Sequence, residues 1–307
     1  MKLIIDAMGG DNAPLEIVKG ALSGQKRWGV DVTLTGDTAA ILQALEACGE
    51  KTLPQGMEIV HTTETVEMCD DPATVFRRKK DTSMGVGLTM LRDGRADAMV
   101  SAGSTGALLT GATLIVKRIR GIRRAAMAPV IPTTTGQAVL IDCGANAECT
   151  PEYLVQFAYL GSYYAHRVLG VERPRVGLLN IGAEDSKGTD LQKETLRWLR
   201  EAHTAGHLNF IGNIEAKEAI KGGCDVIVCD GFSGNVLLKT MEGVGSFAGS
   251  ALKAMFKKNL LTKLAAVMVS GGLKRFKKLM DSSEVGGTAL VGISKTVIKA
   301  HGSSNAY

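Results

Sequence analysis

The sequence predicts an α/β fold in which helices cover both faces of a mixed, mostly parallel sheet. Short apolar runs alternate with helix-forming segments along most of the 307 residues, which is the pattern of βαβ units. Runs such as residues 3–5 and 226–228 are continuous rather than alternating, as expected for strands that are buried on both faces. Two further runs, joined by the turn at residues 133–136, predict one antiparallel hairpin.

Capping residues and prolines locate the main helices. Asp11 or Asn12 is expected to cap a first helix that begins at Pro14 and runs towards Trp28, because proline favours the first helical position. Thr150, followed by Pro151, opens a long helix over 153–169. The other predicted helices are 38–48, 72–79, 84–92, 190–202 and 215–220, and the predicted strands are 32–35, 58–61, 98–101, 129–131, 138–141, 175–179, 209–211 and 226–229. No linker or low-complexity stretch interrupts this order, so we expect a single domain over 1–307.

Five apolar runs end in a turn rich in Gly, Ser, Asp or Asn, and a helix-forming run follows each turn. We call these five segments the glycine edges; in chain order they are residues 3–14, 98–109, 139–154, 176–191 and 226–239. The carboxyl ends of parallel strands meet at one edge of a sheet, and open α/β sheets bind ligands there. Helix N-termini at that edge favour anions. The sequence therefore predicts one polar cleft, suited to an anion and built from five loops.

Positive charge is concentrated in three segments that contain no acidic residue. The net charge is only +5, yet residues 77–80, 117–124 and 251–280 hold 17 of the 36 basic residues, which leaves 19 against 31 acidic residues elsewhere. A solvated helix face explains the first segment. The two longer segments predict docking to an acidic partner, which is a protein, a lipid surface or a nucleic acid, and of these we do not expect a nucleic acid. The residues expected to dock are Arg118, Arg120, Arg123, Arg124, Lys257, Lys258, Lys274, Arg275, Lys277 and Lys278.

The segment at 251–280 reads as a basic helical hairpin bent at Gly271 and Gly272. Beyond the glycine pair, apolar residues fall on one helix face and basic residues fall on the other. Such a hairpin would lie on an anionic membrane or bind an acidic carrier protein. A helix pair packed on its own core is the alternative, and the pattern does not separate the two.

Several classes of protein and site are disfavoured. No apolar run approaches the roughly 18–20 residues that span a bilayer, and Asp6 interrupts the only apolar start, so we expect a cytoplasmic protein. The six cysteines form no C-x-x-C pair and are expected to be reduced and structural. No Walker loop, G-x-G-x-x-G or G-x-S-x-G motif follows a predicted strand. We expect no metal and no cofactor.

What remains at the glycine edges are groups that can hold an anion and a polarised carbonyl. Ser104, Thr105 and Gly106 precede a helix and offer hydroxyls and backbone amides. Lys187 supplies a mobile positive charge in a loop, although a solvated lysine is the simpler interpretation of that residue alone. Asn235 opens a helix after a glycine, so its amide either caps the helix or points into the cleft.

Six motifs, in order, resemble the bacterial phosphate acyltransferases of the PlsX family. They are DAMGGDNAP, SAGSTGALL, DCGAN, NIG-x-E-x-x-KG, DGF-x-GN and HGSSNA, and together they cover nearly the whole chain. The resemblance implies a Rossmann-like three-layer α/β/α fold, similar to that of isopropylmalate dehydrogenases and phosphotransacetylases. It implies reversible transfer of a long-chain fatty acyl group from acyl carrier protein to inorganic phosphate, which makes acyl-phosphate for phospholipid synthesis. Family members usually continue beyond the last motif with a further helix, where this sequence ends at Tyr307.

The resemblance also implies roles and partners. Lys187 would bind phosphate and the developing charge, and Asn235 would bind the carbonyl oxygen. The other residues expected to bind substrate or phosphate are Asp6, Gly9, Gly10, Asp11, Ser104, Thr105, Gly106, Asp142, Asn146, Glu184, Asp185, Asp230, Ser233 and Gly234. The family resemblance implies a homodimer at the inner face of the membrane. Its expected neighbour there is the membrane-bound acyl-phosphate:glycerol-3-phosphate acyltransferase.

Three other functions stay open at this point. A phosphotransacetylase that uses small acyl groups and coenzyme A would need the same kind of cleft. A dehydrogenase on the related fold would need a dinucleotide and a divalent metal, for which the sequence offers no clear set of acidic ligands. A non-enzymatic scaffold for a carrier protein or a membrane surface would need only the basic hairpin.

Overall fold

The computed structural model describes residues 1–273 and 286–306. Its contacts divide the chain into two compact units, Met1–Ala125 with Gly287–Tyr307, and Ala126–Gly286. That a single functional domain spans residues 1–307 stays a prediction. The strands are β1 (Lys2–Asp6), β2 (Asp31–Gly36), β3 (Met57–His61), β4 (Ala98–Ser101), β5 (Ala126–Ala128), β6 (Val130–Thr133), β7 (Gly136–Ile141), β8 (Val176–Leu179), β9 (Phe210–Ile214), β10 (Val226–Val228), β11 (Gly287–Val291) and β12 (Thr296–Ala300). The helices are α1 (Leu15–Trp28), α2 (Thr38–Ala47), α3 (Val75–Arg78), α4 (Ser83–Arg92), α5 (Thr105–Gly111), α6 (Pro151–Leu169), α7 (Asp190–Thr204), α8 (Ala216–Ile220), α9 (Gly231–Lys257) and α10 (Leu260–Met268).

The first unit is built on strands in the order β3-β2-β1-β4-β12-β11. Every neighbouring pair in this order is parallel except β11 with β12. Strand β2 is continuously buried from Val32 to Gly36, as its uninterrupted apolar and threonine run predicts. Helices α1 and α2 pack on it through a shared core. That core includes Val18, Leu22, Val32, Leu34, Ile41 and Leu45.

The second unit has strands in the order β6-β7-β10-β8-β9, all parallel except β6 with β7. The antiparallel pair is the hairpin that the turn at 133–136 predicts. Strand β10 is fully buried, and α6 contacts both it and β7. Three of the six cysteines (Cys143, Cys224 and Cys229) pack in this core as small apolar side chains. Parallel strands with helices packed on them confirm the predicted α/β fold.

Several predicted elements differ from the structure. Helix α1 begins at Leu15 rather than Pro14, and no side chain caps it. The amide of Asn12 instead donates to the carbonyls of Ser303 and Ser304, at 3.3 and 3.2 Å. Strands β5, β11 and β12 were not predicted. The helix predicted over 72–79 is shorter in the structure, where it spans Val75–Arg78.

The basic hairpin bends at another place than predicted. Helix α9 ends at Lys257, and α10 begins at Leu260 after a capping box in which Asn259 Oδ1 accepts from Thr262 N at 2.9 Å. The bend therefore lies at residues 258–259, and the glycine pair at 271–272 has helical backbone after a turn residue at Val269. The basic face predicted beyond the pair lies outside the described residues. No helix in the described ranges has the length and apolar character needed to cross a bilayer.

Candidate active site

The third, fourth and fifth glycine edges all continue from strand ends at the same edge of the sheet in the second unit. Ile141 at the end of β7 lies opposite Val228 of β10, and Val228 lies opposite Leu178 of β8. Leu178 in turn lies opposite Asn213 of β9. Because neighbouring strands are about 4.8 Å apart, the loops after β7, β10 and β8 start side by side. The structure thus brings together the loops that carry Asn146 and Lys187 and the start of α9, whose first turns carry Asn235.

The third edge is organised by the buried carboxylate of Asp142. Its Oδ1 accepts from the backbone N–H groups of Met127 and Cys143, at 2.8 and 2.7 Å. Its Oδ2 accepts from the backbone and side-chain amides of Asn146, at 2.6 and 3.0 Å. Burial raises the pKa of Asp142, while these donors favour the ionised form. Asp142 therefore fixes the loop from inside and does not face solvent.

The fifth edge interlocks with the third. Gly231 donates its backbone N–H to Asn146 O at 2.7 Å, and Gly144 donates to Gly231 O at 3.0 Å. A Cβ added to Gly234 would lie 2.0 Å from Asp142 O, so only glycine allows this approach. The two loops thus form one rigid polar surface.

Asn235 does not cap helix α9, because another residue does. Asp230 is the N-cap of α9, and it accepts from Ser233 N at 2.8 Å and from Ser233 Oγ at 2.9 Å. The predicted alternative, in which Asn235 caps the helix, is wrong: the helix starts four residues earlier. The exposed amide lies beside the third edge, where a Cβ on Gly144 would stand 3.6 Å from Asn235 Oδ1.

Lys187 lies in the exposed loop between β8 and α7. Its backbone N–H donates to Glu184 O at 3.1 Å, and its carbonyl accepts from Asn180 Nδ2 at 3.2 Å. A Cβ on Gly182 would meet the Lys187 side chain at 2.9 Å and the Glu184 carboxylate at 2.6 Å. Asp185 is also exposed, and its carboxylate pairs with Arg200 of α7. The loop is therefore ordered at its backbone, while the Lys187 side chain is exposed to solvent.

The first and second glycine edges meet in the first unit around the buried carboxylate of Asp6. It accepts from the hydroxyls of Ser83 and Ser101, each at 2.6 Å. Burial raises the pKa of Asp6, and the two hydroxyls oppose that rise. A Cβ on Gly9 would lie 2.6 Å from this carboxylate. Asp6 therefore acts on the loop, and its oxygens are not exposed to a ligand.

The remaining predicted residues of these two edges lie around this carboxylate. Gly10 has a φ of 107°, a conformation that favours glycine. The backbone N–H of the exposed Asp11 donates to Gly302 O at 2.8 Å, which joins the last motif to the first. Ser104 is the N-cap of α5, and Thr105 and Gly106 form its half-buried first turn. That all five glycine edges line one cleft stays a prediction.

Lys299, a lysine of β12 that is 8% exposed, is not among the predicted site residues. Its amine donates to Ala102 O at 3.3 Å and to Ala300 O, and it faces the carboxylates of Asp11 and Asp6. Burial lowers the pKa of Lys299 to about 8, against the attraction of the two carboxylates. The feature of the sequence that could have indicated a buried lysine is a basic residue inside an apolar segment.

The predicted docking residues are exposed wherever they are described. Arg118, Arg120, Arg123 and Arg124 lie on the loop after the π-helical turn Ala112–Val116, and Arg118 Nη1 donates to Arg123 O. Lys257 and Lys258 lie at the end of α9. The other four predicted docking residues, Lys274, Arg275, Lys277 and Lys278, lie outside the described residues. Within the described ranges, no three His, Cys, Asp or Glu side chains cluster as metal ligands do.

The chain has a Rossmann-like α/β fold, which solved phosphotransacetylases share. The structure is similar over the whole chain to a phosphotransacetylase from Streptococcus pyogenes, with a TM-score of 0.65, 18% identity and 89% of that chain covered. It is also similar to the EutD phosphotransacetylase from Staphylococcus aureus, with a TM-score of 0.64, 15% identity and 90% of that chain covered. At these identities the likeness concerns the fold alone.

Sequence comparison gives the family. The model of the fatty acid synthesis protein family matches residues 1–307. A phosphate acyltransferase from Thermoanaerobacter pseudethanolicus is 47% identical over 307 residues, which cover all of this chain and 90% of the relative. One from Thermoanaerobacterium thermosaccharolyticum is 45% identical over 304 residues, or 99% of this chain and 88% of the relative. The chain belongs to this family, and the resemblance seen in its six motifs is confirmed.

Proposed function

We propose that this protein is an acyltransferase that moves a long-chain fatty acyl group reversibly from acyl carrier protein to inorganic phosphate. The product is an acyl-phosphate, used in phospholipid synthesis. Membership of the family supports acyl transfer to phosphate, since relatives at 44–47% identity carry the name phosphate acyltransferase. The observation that carries the mechanism is the row Ile141, Val228 and Leu178. From these strand ends start the loops of Asn146 and Lys187 and the short connection to α9, whose first turns carry Asn235.

The reaction needs no nucleophile from the protein. A phosphate oxygen attacks the thioester carbonyl carbon, negative charge develops on the carbonyl oxygen, and the C–S bond breaks to release the carrier thiol. Phosphate is already anionic at neutral pH. The protein therefore has to place the two substrates together and stabilise the developing charge.

Two side chains have the chemistry for these tasks. The Lys187 ammonium is exposed and has no ion pair with the described residues, so it is available to a phosphate. Asn235 carries an amide N–H₂ that can donate to the carbonyl oxygen, and helix capping does not use it. The ordered backbones of both loops limit the entropy lost when substrate binds.

The carboxylates of the site have a supporting part in this proposal. Asp142 and Asp230 are occupied by N–H and O–H donors from their own loops. An anion beside a free carboxylate would be repelled, whereas a carboxylate bound in this way mainly sets the loop conformation. Substrate would then be bound by the backbone and amide groups that these carboxylates position.

Alanine substitutions test the mechanism. We expect Lys187→Ala and Asn235→Ala each to lower the rate of phosphate-dependent thiol release by about 100-fold or more, the usual effect of losing a charge-stabilising group. Lys193→Ala is the matched control, because Lys193 is exposed like Lys187 but lies on α7, outside the loop. Near-normal turnover of both site variants would overturn the mechanism.

The choice of acyl donor separates this proposal from its nearest alternative. A small-acyl phosphotransacetylase would use acetyl-coenzyme A, and the fold is shared with such enzymes. We expect turnover with long-chain acyl carrier protein to exceed turnover with acetyl-coenzyme A by orders of magnitude. The opposite ranking would favour the alternative.

We further propose that α10 attaches the protein to the inner face of the membrane. None of its residues is buried, and five large apolar side chains are at least 64% exposed. These are Leu260, Leu261, Leu264, Val267 and Met268. The alternative of a helix pair packed on its own core does not account for this exposure. Lys257, Lys258 and Lys263 add positive charge beside the apolar face, which favours anionic lipid.

The remaining partners follow from the family resemblance. We propose that the arginines at 118–124 dock the acidic acyl carrier protein, that the protein is a homodimer, and that it delivers acyl-phosphate to the membrane-bound glycerol-3-phosphate acyltransferase. The exposure of the arginines supports the first of these. Sedimentation equilibrium tests the second: a mass of about 32.4 kDa would exclude the dimer.

A further inference from the structure

The loop at residues 180–189 is exposed, yet a residue of the next strand holds its backbone by a hydrogen bond. Asn213, at the end of β9, donates through Nδ2 to Glu184 O at 3.0 Å. Its Oδ1 is buried and accepts no hydrogen bond from the described residues. Leaving a buried acceptor without a partner is unfavourable. The Asn213 Oδ1 nevertheless stays buried here, while the amide makes a single hydrogen bond to the loop, the one to Glu184 O.

A second tie comes from α7. The Arg200 guanidinium binds the Asp185 carboxylate with both terminal nitrogens, and Nη2 lies 2.6 Å from Oδ1. The pair joins residues 15 positions apart, so it fixes the loop to the helix and not one helical turn to the next. Bidentate pairing sets orientation as well as distance.

The start of α7 does not depend on these ties. Gln192 Oε1 accepts from Thr189 N at 3.1 Å, which completes a capping arrangement at the first turn. The bonds to Glu184 and Asp185 therefore act on the part of the loop that precedes Lys187. Since Lys187 N donates to Glu184 O, any movement of Glu184 is passed to Lys187.

We propose that Arg200 and Asn213 are positioning residues, which hold the loop in the conformation that presents Lys187 to phosphate. This inference rests on the proposed function of Lys187. Neither residue touches substrate in this scheme. Each acts through a loop residue that is bonded to, or adjacent to, the segment carrying the lysine.

The test compares Arg200→Met and Asn213→Leu with Arg197→Met. Arg197 is the matched control because it lies on the same helix and pairs with Glu194 at 3.7 Å, within one helical turn. We expect Arg200→Met and Asn213→Leu to raise the KM for phosphate about tenfold, with a smaller fall in kcat. Arg197→Met should stay within twofold of the unmodified protein in both constants.

Charge exchange separates positioning from a general effect on folding. Asp185→Arg and Arg200→Asp should each weaken phosphate use, and combining them should restore at least half of the lost kcat/KM. An exposed ion pair is screened by salt. The KM for phosphate should therefore rise more steeply with added potassium chloride in the unmodified protein and in Arg197→Met than in Arg200→Met, where only the attraction between Lys187 and phosphate remains to be screened.

The outcomes distinguish this inference from the function on which it rests. If Lys187→Ala keeps near-normal turnover, the role of Lys187 fails whatever Arg200 does. If Lys187→Ala is inactive while Arg200→Met and Asn213→Leu match Arg197→Met in kcat and KM, the positioning role is overturned. A lower thermal midpoint without a change in KM would assign both residues to stability alone, and would overturn it as well.

Discussion

The Asp142 carboxylate binds Asn146 twice, through the backbone N–H at 2.6 Å and the side-chain amide at 3.0 Å. The same carboxylate also accepts from two other backbone N–H groups. One buried side chain therefore determines the conformation of the whole third loop. The loop conformation then depends on a residue that has no exposed atoms.

Asp142→Ala should strongly destabilise the protein. The substitution leaves four donors without their acceptor, which we expect to lower the free energy of unfolding by about 3 kcal/mol. Urea denaturation measures the change. Asp93→Ala is the control, because Asp93 is exposed and paired with Arg92, and such pairs contribute at most about 1 kcal/mol. Equal midpoints for the two variants would contradict the role of Asp142.

Asp230→Ala should damage activity more than its effect on stability explains. Loss of an N-cap costs about 1 kcal/mol, and here the cap orients the first turns of α9, which carry Asn235. Asp37 caps α2 in the same way, with Ala40 N at 2.7 Å. Both variants should lose similar stability in urea. Only Asp230→Ala should lower kcat/KM, by about tenfold; an equal loss in both would show that general destabilisation is the cause.

Lys299→Met should change how stability depends on pH. The pKa of Lys299 is about 8 in the folded protein and 10.5 as its ordinary value, so below pH 8 both states are protonated and the folded state carries the full cost of the buried charge. As pH rises from 8 to 10.5, the folded state loses its proton first and that cost disappears. Wild-type stability should therefore gain about 2–3 kcal/mol over this range relative to Lys299→Met.

Urea denaturation at pH 7 and pH 10 measures that difference. Asp6 and Asp11 face the amine, and both are unchanged in Lys299→Met. If the stability difference between the two proteins is the same at both pH values, Lys299 does not titrate in this window.

Acidic residues on α10 should remove membrane binding. Leu261 and Leu264 are 77% and 64% exposed, so Leu261→Glu with Leu264→Glu changes the surface without opening a core. We expect this double variant to remain in solution during flotation with anionic vesicles, whereas Val168→Glu, on the exposed side of α6, should still float. Turnover with soluble acyl carrier protein should be measured alongside. A parallel loss of turnover would assign the surface to carrier docking instead.

The parts of the site that follow strand ends could be predicted from the sequence, whereas their detailed geometry could not. The loop of Lys187 follows the apolar strand β8, so the sequence predicts at which edge of the sheet this loop lies. Asn235 was misjudged because Gly231 and Gly234 look like turn residues. Both lie inside α9, where Gly231 closely approaches Asn146 O and Gly234 closely approaches Asp142 O. Periodicity carries no information about such tertiary contacts.

The last strands and the bend after α9 were missed for related reasons. Lys299 interrupts an apolar run with a charge, and only its contacts with Ala102 and the carboxylates of the first loop make burial acceptable. Asn259 and Thr262 form a local capping box that competes with the more conspicuous glycine pair as the place to end a helix. In each case a specific side-chain hydrogen bond determines the structure, where the composition of the segment had indicated a different one.

The order of strands in the first unit has a consequence for biosynthesis. Strand β4 pairs with β12, which follows all of residues 126–286 in the chain. A ribosome therefore finishes the second unit before it releases the strand that completes the first. Until then Asp6 and Asp11 lack the cation that faces them, and the edge of β4 is open to other partners. The residues that are translated earliest should therefore stay bound for the longest time to a chaperone that shields nascent chains.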